Sequence, residues 1–243
     1  MNKYEEILNN ISKQLENDKT EHNEWNTNYL RIQRERYISD LMYYENLEGI
    51  NKILEIGGAP FHLSACMQKL KYDLTVLDID PSRFQWFIEE NKMKVIKCNI
   101  ENDIINLEDN SFDLAIFTEV FEHLRINPIN TLLKIREKIK MGGLLYLTTP
   151  NFYRFANIVS FLKNKGVVNA YYEFEKLNKI GHMGHVREYT KNEINLFLEN
   201  TGFEVKEFSF KNAKKATSFN TYNAVTRLFP GTRTHMKFLA KKV

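Results

Sequence analysis

Residues 52–60 read KILEIGGAP, and residues 73–80 read DLTVLDID. Each is a short apolar run of strand type that stops at a residue suited to a ligand rather than to a core. Gly57 and Gly58 let the backbone approach a ligand closely, and a helix following them offers unpaired amides. Asp78 closes the second run about 20 residues after the turn, the spacing at which an acidic side chain takes a ribose diol in nucleotide-binding folds. Taken singly, the glycines could serve a tight turn, and Asp78 or Asp80 could cap a helix. Taken in this order, they point to an adenosine-containing ligand.

Outward from these two runs the pattern repeats. MKVIKCNI (93–100), FDLAIF (112–117) and GGLLYLTT (142–149) are further apolar strand candidates, separated by amphipathic stretches such as the one carrying Leu132, Leu133, Ile135 and Ile139. Strand–helix alternation predicts a parallel sheet covered on both faces. Before residue 51, apolar positions recur at helical spacing (Tyr4, Ile7, Leu8, Ile11, Leu15), which predicts helices leading into the sheet. Thr190 and Glu193 form a capping-box pattern ahead of Ile194, Leu196 and Phe197, with Gly202 placed to end that helix. FEVKEFSF (203–210) and HMKFLAK (235–241) complete seven strands.

The bulk properties bound the function. A chain of 243 residues with 43% hydrophobic content supports one domain, and no linker-like run divides it. The organisation expected is an N-terminal helical cap (1–50), a cofactor-binding half (51–152), a lid and acceptor insertion (153–190) and a C-terminal helix with strands (191–243). A formal charge of +3 on scattered basic residues does not form the basic stripe of a duplex-binding surface. The N-terminal residues lack the order of a signal peptide, and no apolar run reaches bilayer length, so a cytoplasmic protein without a membrane partner is expected. Cys66 and Cys98 sit among apolar neighbours and read as packed thiols.

A dinucleotide fingerprint would place glycine at 57, 59 and 62, whereas the chain has Gly57, Ala59 and His62. Instead, Glu55-Ile56-Gly57-Gly58-Ala59 resembles the first motif of the class I S-adenosylmethionine-dependent methyltransferases. The resemblance extends through VLDID, Asn99-Ile100, NSFDLAIFTEVFEHL (110–124), MGGLLYLTTPN (141–151) and GHVREYTKNEINLFLENTGFEV (184–205), roughly residues 50–240. It implies a Rossmann-like α/β fold: a central, mostly parallel seven-stranded sheet with helices on both faces and an antiparallel last strand. It also implies that S-adenosyl-L-methionine binds against Glu55, Gly57, Gly58, Ala59, Asp78, Ile79, Asn99, Ile100 and Thr118. Ala59 and Phe61 stand where glycines are usual, and Asn99 where aspartate is common.

EVFEH (119–123) places two carboxylates and an imidazole at i, i+3 and i+4, one face of a helix if the segment is helical. A mixed oxygen and nitrogen set suits Mg, Mn, Fe or Zn. The segment resembles the E-x-x-E-H motif of the small-RNA 3′-terminal 2′-O-methyltransferases and of the ubiquinone-pathway O-methyltransferases. In the RNA group a downstream histidine completes the metal site. The resemblance implies a divalent metal on Glu119, Glu122, His123 and either His182 or His185; without a metal, His123, His182 or His185 is the candidate catalytic base. The alternative is that these side chains cap and pack the turn. Tyr171, Tyr172 and Phe174 are expected to pack a lid helix rather than to form an acceptor platform. The function expected is O-methylation of a hydroxyl on a small or carbohydrate-like acceptor, such as a sugar nucleotide or surface-glycan precursor. The alternatives are RNA 3′-terminal 2′-O-methylation and a non-catalytic cofactor-binding scaffold.

Overall fold

The KILEI run pairs in parallel with both DLTVLD and FDLAIFT, which makes it an interior strand of the sheet. The computed structural model describes residues 2–180, 184–212 and 221–243. In chain order the elements are α1 (Lys3–Leu15), α2 (Asn23–Glu45), β1 (Lys52–Ile56), α3 (His62–Lys69), β2 (Asp73–Asp78), α4 (Gln85–Glu90), β3 (Val95–Lys97) and β4 (Phe112–Thr118). They continue with α5 (Pro128–Lys138), β5 (Ile139–Pro150), α6 (Phe155–Leu162), α7 (Ala170–Ile180), α8 (Lys191–Asn200), β6 (Phe203–Lys211), α9 (Thr221–Leu228) and β7 (His235–Lys242).

The strand order is β3-β2-β1-β4-β5-β7-β6. The first five strands are parallel, and β7 runs antiparallel between β5 and β6. Strand order reverses between β1 and β4, so the carboxyl ends of β1, β2, β4 and β5 form the rim where a ligand of such a sheet sits. The expected third strand is shorter than the apolar run that predicted it. Only Val95–Lys97 pair with β2, because Asn99 turns the chain locally, its side chain accepting from the Glu101 amide.

Local signals account for the element ends. Asn2 and Glu5 form a capping box at α1, Thr190 and Glu193 another at α8, and Gly202 leaves α8 with φ +78°. Asp80 caps the short 3₁₀ turn begun by Pro81, and Asn127 caps α5. Leu8, Ile11 and Leu15 of α1, Leu30, Tyr37 and Leu41 of α2 and Cys66 of α3 join one face of the sheet in a single apolar layer. Leu132 and Ile135 of α5 and Ile194 and Leu198 of α8 cover the other face. No helix among the described residues is long and apolar enough to cross a membrane.

His62, in the first turn of α3, is fully buried against Tyr29, Tyr37 and Phe87, and neither ring nitrogen has a hydrogen-bond partner among the described residues. Burial pushes its pKa down to about 3, so the folded chain holds this ring neutral. The unfolded chain protonates it near pH 6.5, an approximate value for a free imidazole. Stability from this site is therefore complete above that pH and is lost as pH falls toward the folded value, at about 1.4 kcal/mol per pH unit. Urea titrations from pH 6 to pH 4 should show a shallower loss for His62→Leu than for the native chain by about that slope. Parallel curves would place the acid sensitivity in other groups.

Candidate active site

Gly57 leaves β1 with φ +75°, and a Cβ built on it would lie 2.3 Å from Cγ2 of Val120. The glycine is thus demanded by a neighbouring turn as well as by its own backbone conformation. A Cβ on Gly58 would lie 2.5 Å from Val76 Cγ1 of β2. Phe61, where a glycine is usual in the family the sequence resembles, itself adopts a left-handed φ of +67° and is held there by full burial.

The remaining residues of the cofactor half gather around this turn. Asp78 ends β2 buried, accepting from the Ala59 amide on one oxygen and the Asp80 amide on the other, 3.0 Å each. Burial raises its pKa, against the lowering effect of those amides. Its carboxylate thereby ties the end of β2 to the turn after β1. Glu55 lies deeper, accepting from Ser64 Oγ at 2.5 Å, and burial pushes it up to about 7, with the hydrogen bond opposing and the Asp78 charge adding to the rise. Ile79 is exposed beyond Asp78, Ile100 is buried in the core layer under α5, and Thr118 is half-buried at the end of β4.

EVFEH is not the helix that its spacing predicts. Glu119 takes φ +55° directly after β4, Phe121–His123 make one 3₁₀ turn, Leu124 is extended, and α5 begins only at Pro128. The cause is Phe121, buried against Phe117, Tyr189 and Phe197, which draws the chain down onto the sheet before a helix can propagate. The two glutamates consequently part. Thr148 Oγ1 donates to Glu119 at 2.7 Å, and Thr149 Oγ1 donates to Glu122 at 2.9 Å. Consecutive residues of a strand point to opposite faces, so the carboxylates serve opposite sides of β5.

Glu119 faces α2 and pairs with His235, its Oε2 lying 3.0 Å from Nε2. Burial acts to raise the Glu119 pKa, but His235, the Arg36 charge and the Thr148 hydrogen bond bring it below the ordinary carboxylate range. Glu119 is therefore separated from the metal-ligand set in which its spacing had placed it. His235 and Arg36 are the rim residues that sequence reading misses. His235 reaches Glu119 because β7 enters the sheet opposite Pro150, and Arg36 because α2 lies over the same face. No motif marks either residue.

On the other face, Glu122, His123 and His185 converge, each offering one ligand atom within 4.8 Å of the others. Glu122 is 1% exposed, and its Oε1 has no hydrogen-bond partner among the described residues, with His185 Nε2 3.9 Å away. Burial, and next the Glu119 charge, push this carboxyl well above its usual range. His123 Nδ1 donates to the Gly184 carbonyl at 2.8 Å, so that in the neutral ring Nε2 is the nitrogen without hydrogen. The backbone completes the closure, since the amides of Val186 and Arg187 donate to the Glu122 carbonyl at 2.8 and 3.2 Å. His182 lies outside the described residues. Tyr171, Tyr172 and Phe174 do not pack as expected but stand exposed on α7. Helical spacing there leaves them facing solvent, with Tyr171 and Tyr172 in contact only edge to face.

This sheet order, with its glycine turn and acidic residue at the reversal, defines a class I S-adenosylmethionine-dependent methyltransferase. Residues 7–207 match the methyltransferase domain family, and the chain belongs to it. Similar folds include an S-adenosylmethionine-dependent methyltransferase from Archaeoglobus fulgidus (15% identity, TM-score 0.59, covering 86% of this chain and 94% of that one). A possible histamine N-methyltransferase from Thermotoga maritima aligns at 17% identity and TM-score 0.59, over 91% of this chain and 95% of that one. A methyltransferase from Methanosarcina mazei aligns at 15% and 0.59, over 83% and 97%. No curated protein matches the chain in sequence.

The contact between the two turns is testable. Gly57→Ala adds a side chain at a left-handed φ and against Val120, and should destabilise the fold by about 2–4 kcal/mol in urea unfolding. Val120→Ala in the same chain should recover part of that loss by removing the clash while leaving the backbone strain. No recovery would separate the two turns energetically.

Proposed function

We propose that this methyltransferase acts on a hydroxyl of a small or carbohydrate-like acceptor, assisted by a divalent cation on Glu122, His123 and His185. The observation that carries the reading is the convergence of the buried, unpartnered Glu122 oxygen with two imidazoles on the ligand-bearing rim. The donor set fits a cation chemically: a buried carboxylate that burial disfavours as an ion, and His123 anchored through Nδ1 by a carbonyl, as metal-ligating histidines commonly are. Two nitrogens and one oxygen suit Mn, Fe or Zn better than Mg, which prefers oxygen.

S-adenosylmethionine supplies, when bound, a methyl group on a sulfonium that is already a good leaving group. The chain's task is then to orient and to exclude water. Asp78 is proposed to accept from the ribose hydroxyls, and the Gly57–Ala59 turn to admit the cofactor's backbone-like chain, with Thr118, Ile79, Asn99 and Ile100 bordering it. Holding the acceptor in line converts a bimolecular encounter into a positioned one, which supplies most of the rate in such transfers. A hydroxyl acceptor must also become nucleophilic near neutral pH, and a cation held by Glu122, His123 and His185 would supply that, when bound, by lowering the hydroxyl's pKa. The segment from Tyr153 to Glu188, which carries α6 and α7, is proposed to form the acceptor pocket.

Asp78→Ala should weaken S-adenosylhomocysteine binding by roughly 10-fold or more in calorimetry, the scale of one lost charge-assisted hydrogen bond. Unchanged affinity would remove Asp78 from the cofactor site.

The cation reading separates the two glutamates. Glu122→Ala should lose Mn²⁺ binding and methyl transfer while retaining cofactor affinity, whereas Glu119→Ala should retain Mn²⁺ binding. Chelated protein offered labelled cofactor with either a sugar-nucleotide extract or RNA should label the former, and only after Mn²⁺ is restored. Full activity without metal would overturn the cation reading. Label on RNA 3′ ends, falling steeply with salt, would instead support 2′-O-methylation.

A further inference from the structure

We propose that Glu188 is a positioning residue, whose buried carboxylate fixes the ring of His185 so that Nε2 faces Glu122 and ties that histidine to the start of α6. The proposal rests on the cation reading above. The side chain of Glu188 is fully buried, and its two oxygens are already committed as acceptors. Oε1 accepts from Arg154 Nη2 at 2.7 Å, and Oε2 accepts from Asn157 Nδ2 at 2.7 Å. Asn157 is itself held, donating to the Phe152 carbonyl at 2.9 Å and accepting from Arg154 Nε at 3.0 Å. The carboxylate therefore sits in a clamp made by the N-cap residue and first turn of α6.

Against this clamp lies His185 Nδ1, 3.4 Å from Glu188 Oε1. An oxygen that accepts from Arg154 has only acceptor capacity to offer the ring, so Nδ1 carries a hydrogen, and in the neutral ring the lone pair falls on Nε2. Nε2 is the atom turned toward Glu122 Oε1. The two histidines of the cluster are thus oriented alike: His123 by a backbone carbonyl, His185 by a carboxylate. An arginine–carboxylate pair with a buried acid is by itself a weak source of stability, because desolvation offsets most of the attraction. Its use here is geometric. Arg154 and Asn157 belong to the segment assigned to the acceptor pocket, so a shift of α6 on acceptor binding would be passed through Glu188 to the ring of His185.

A double-mutant cycle tests this with Co²⁺ as the probe metal. In the native chain, Glu188→Ala should weaken Co²⁺ binding by roughly 10- to 100-fold, the usual effect of removing a partner behind a ligand. In the His185→Ala background the same change should cause no further loss, because the residue acts through that ring. Glu188→Gln keeps an acceptor oxygen for Arg154 and His185 but sets an amide against Asn157 Nδ2, so it should restore part of the affinity, which guards against a misfolded alanine variant. Equal loss in both backgrounds would overturn the proposal and make Glu188 a packing residue. Long-range ¹H–¹⁵N spectra of the metal-free protein give a second readout, with His185 expected to carry hydrogen on Nδ1 in the native chain and to lose that preference in Glu188→Ala. A native His185 protonated on Nε2 would sink the proposal. A fixed Nδ1–H tautomer in a protein that binds no Co²⁺ would sink the cation reading and leave the positioning role standing.

Discussion

Gly57 and Val120 approach so closely that neither turn can be placed without the other. Gly57 ends β1 and opens the cofactor turn, and Val120 is the second residue of the EVFEH turn after β4. Since β1 and β4 are paired neighbours at the sheet's reversal point, their carboxyl ends emerge side by side. A side chain on residue 57 would push Val120 away, and with it the backbone that aims Glu119 to one face and Glu122 to the other. The turn that shapes the cofactor site and the turn that carries the candidate ligands are one packed unit.

Strand β5 divides what that unit presents. Thr148 and Thr149 each hold one glutamate, and the alternation of the strand sends them apart. Toward α2, Glu119 lies against His235 and in the field of Arg36. Toward α5 and α8, Glu122 is buried beside two oriented imidazoles. The chemistry of the two carboxylates differs because of their surroundings. Both are buried, but His235, Arg36 and the Thr148 hydrogen bond favour the ionised form of Glu119, whereas a like charge adds to the burial that opposes it at Glu122.

Much of the cofactor half was legible in the residues. KILEIGG and VLDID carry both the strand period and the residues that end each strand at the rim, so position in the sheet and proximity to the rim follow together. The capping signals at Thr190 and Glu193 and the helix end at Gly202 were equally local, and local signals survive folding. EVFEH was misread because helical spacing describes a helix only where the backbone propagates one. Here Phe121 is worth more buried under Tyr189 and Phe197 than exposed on a helix, and those partners lie some seventy residues away in the chain.

By itself the sequence determined the strands, the acidic residue at the reversal, the glycines and hence the class of fold, because each depends on short-range pattern and backbone sterics. Only the tertiary structure decided which side chains meet. It set Glu119 against His235, brought His185 beside Glu122 and His123, and brought His235 and Arg36 to the rim. The physical reason is that such meetings are set by strand register and by the competition among buried groups for partners. Neither quantity exists until the sheet has closed and β7 has entered it opposite β5.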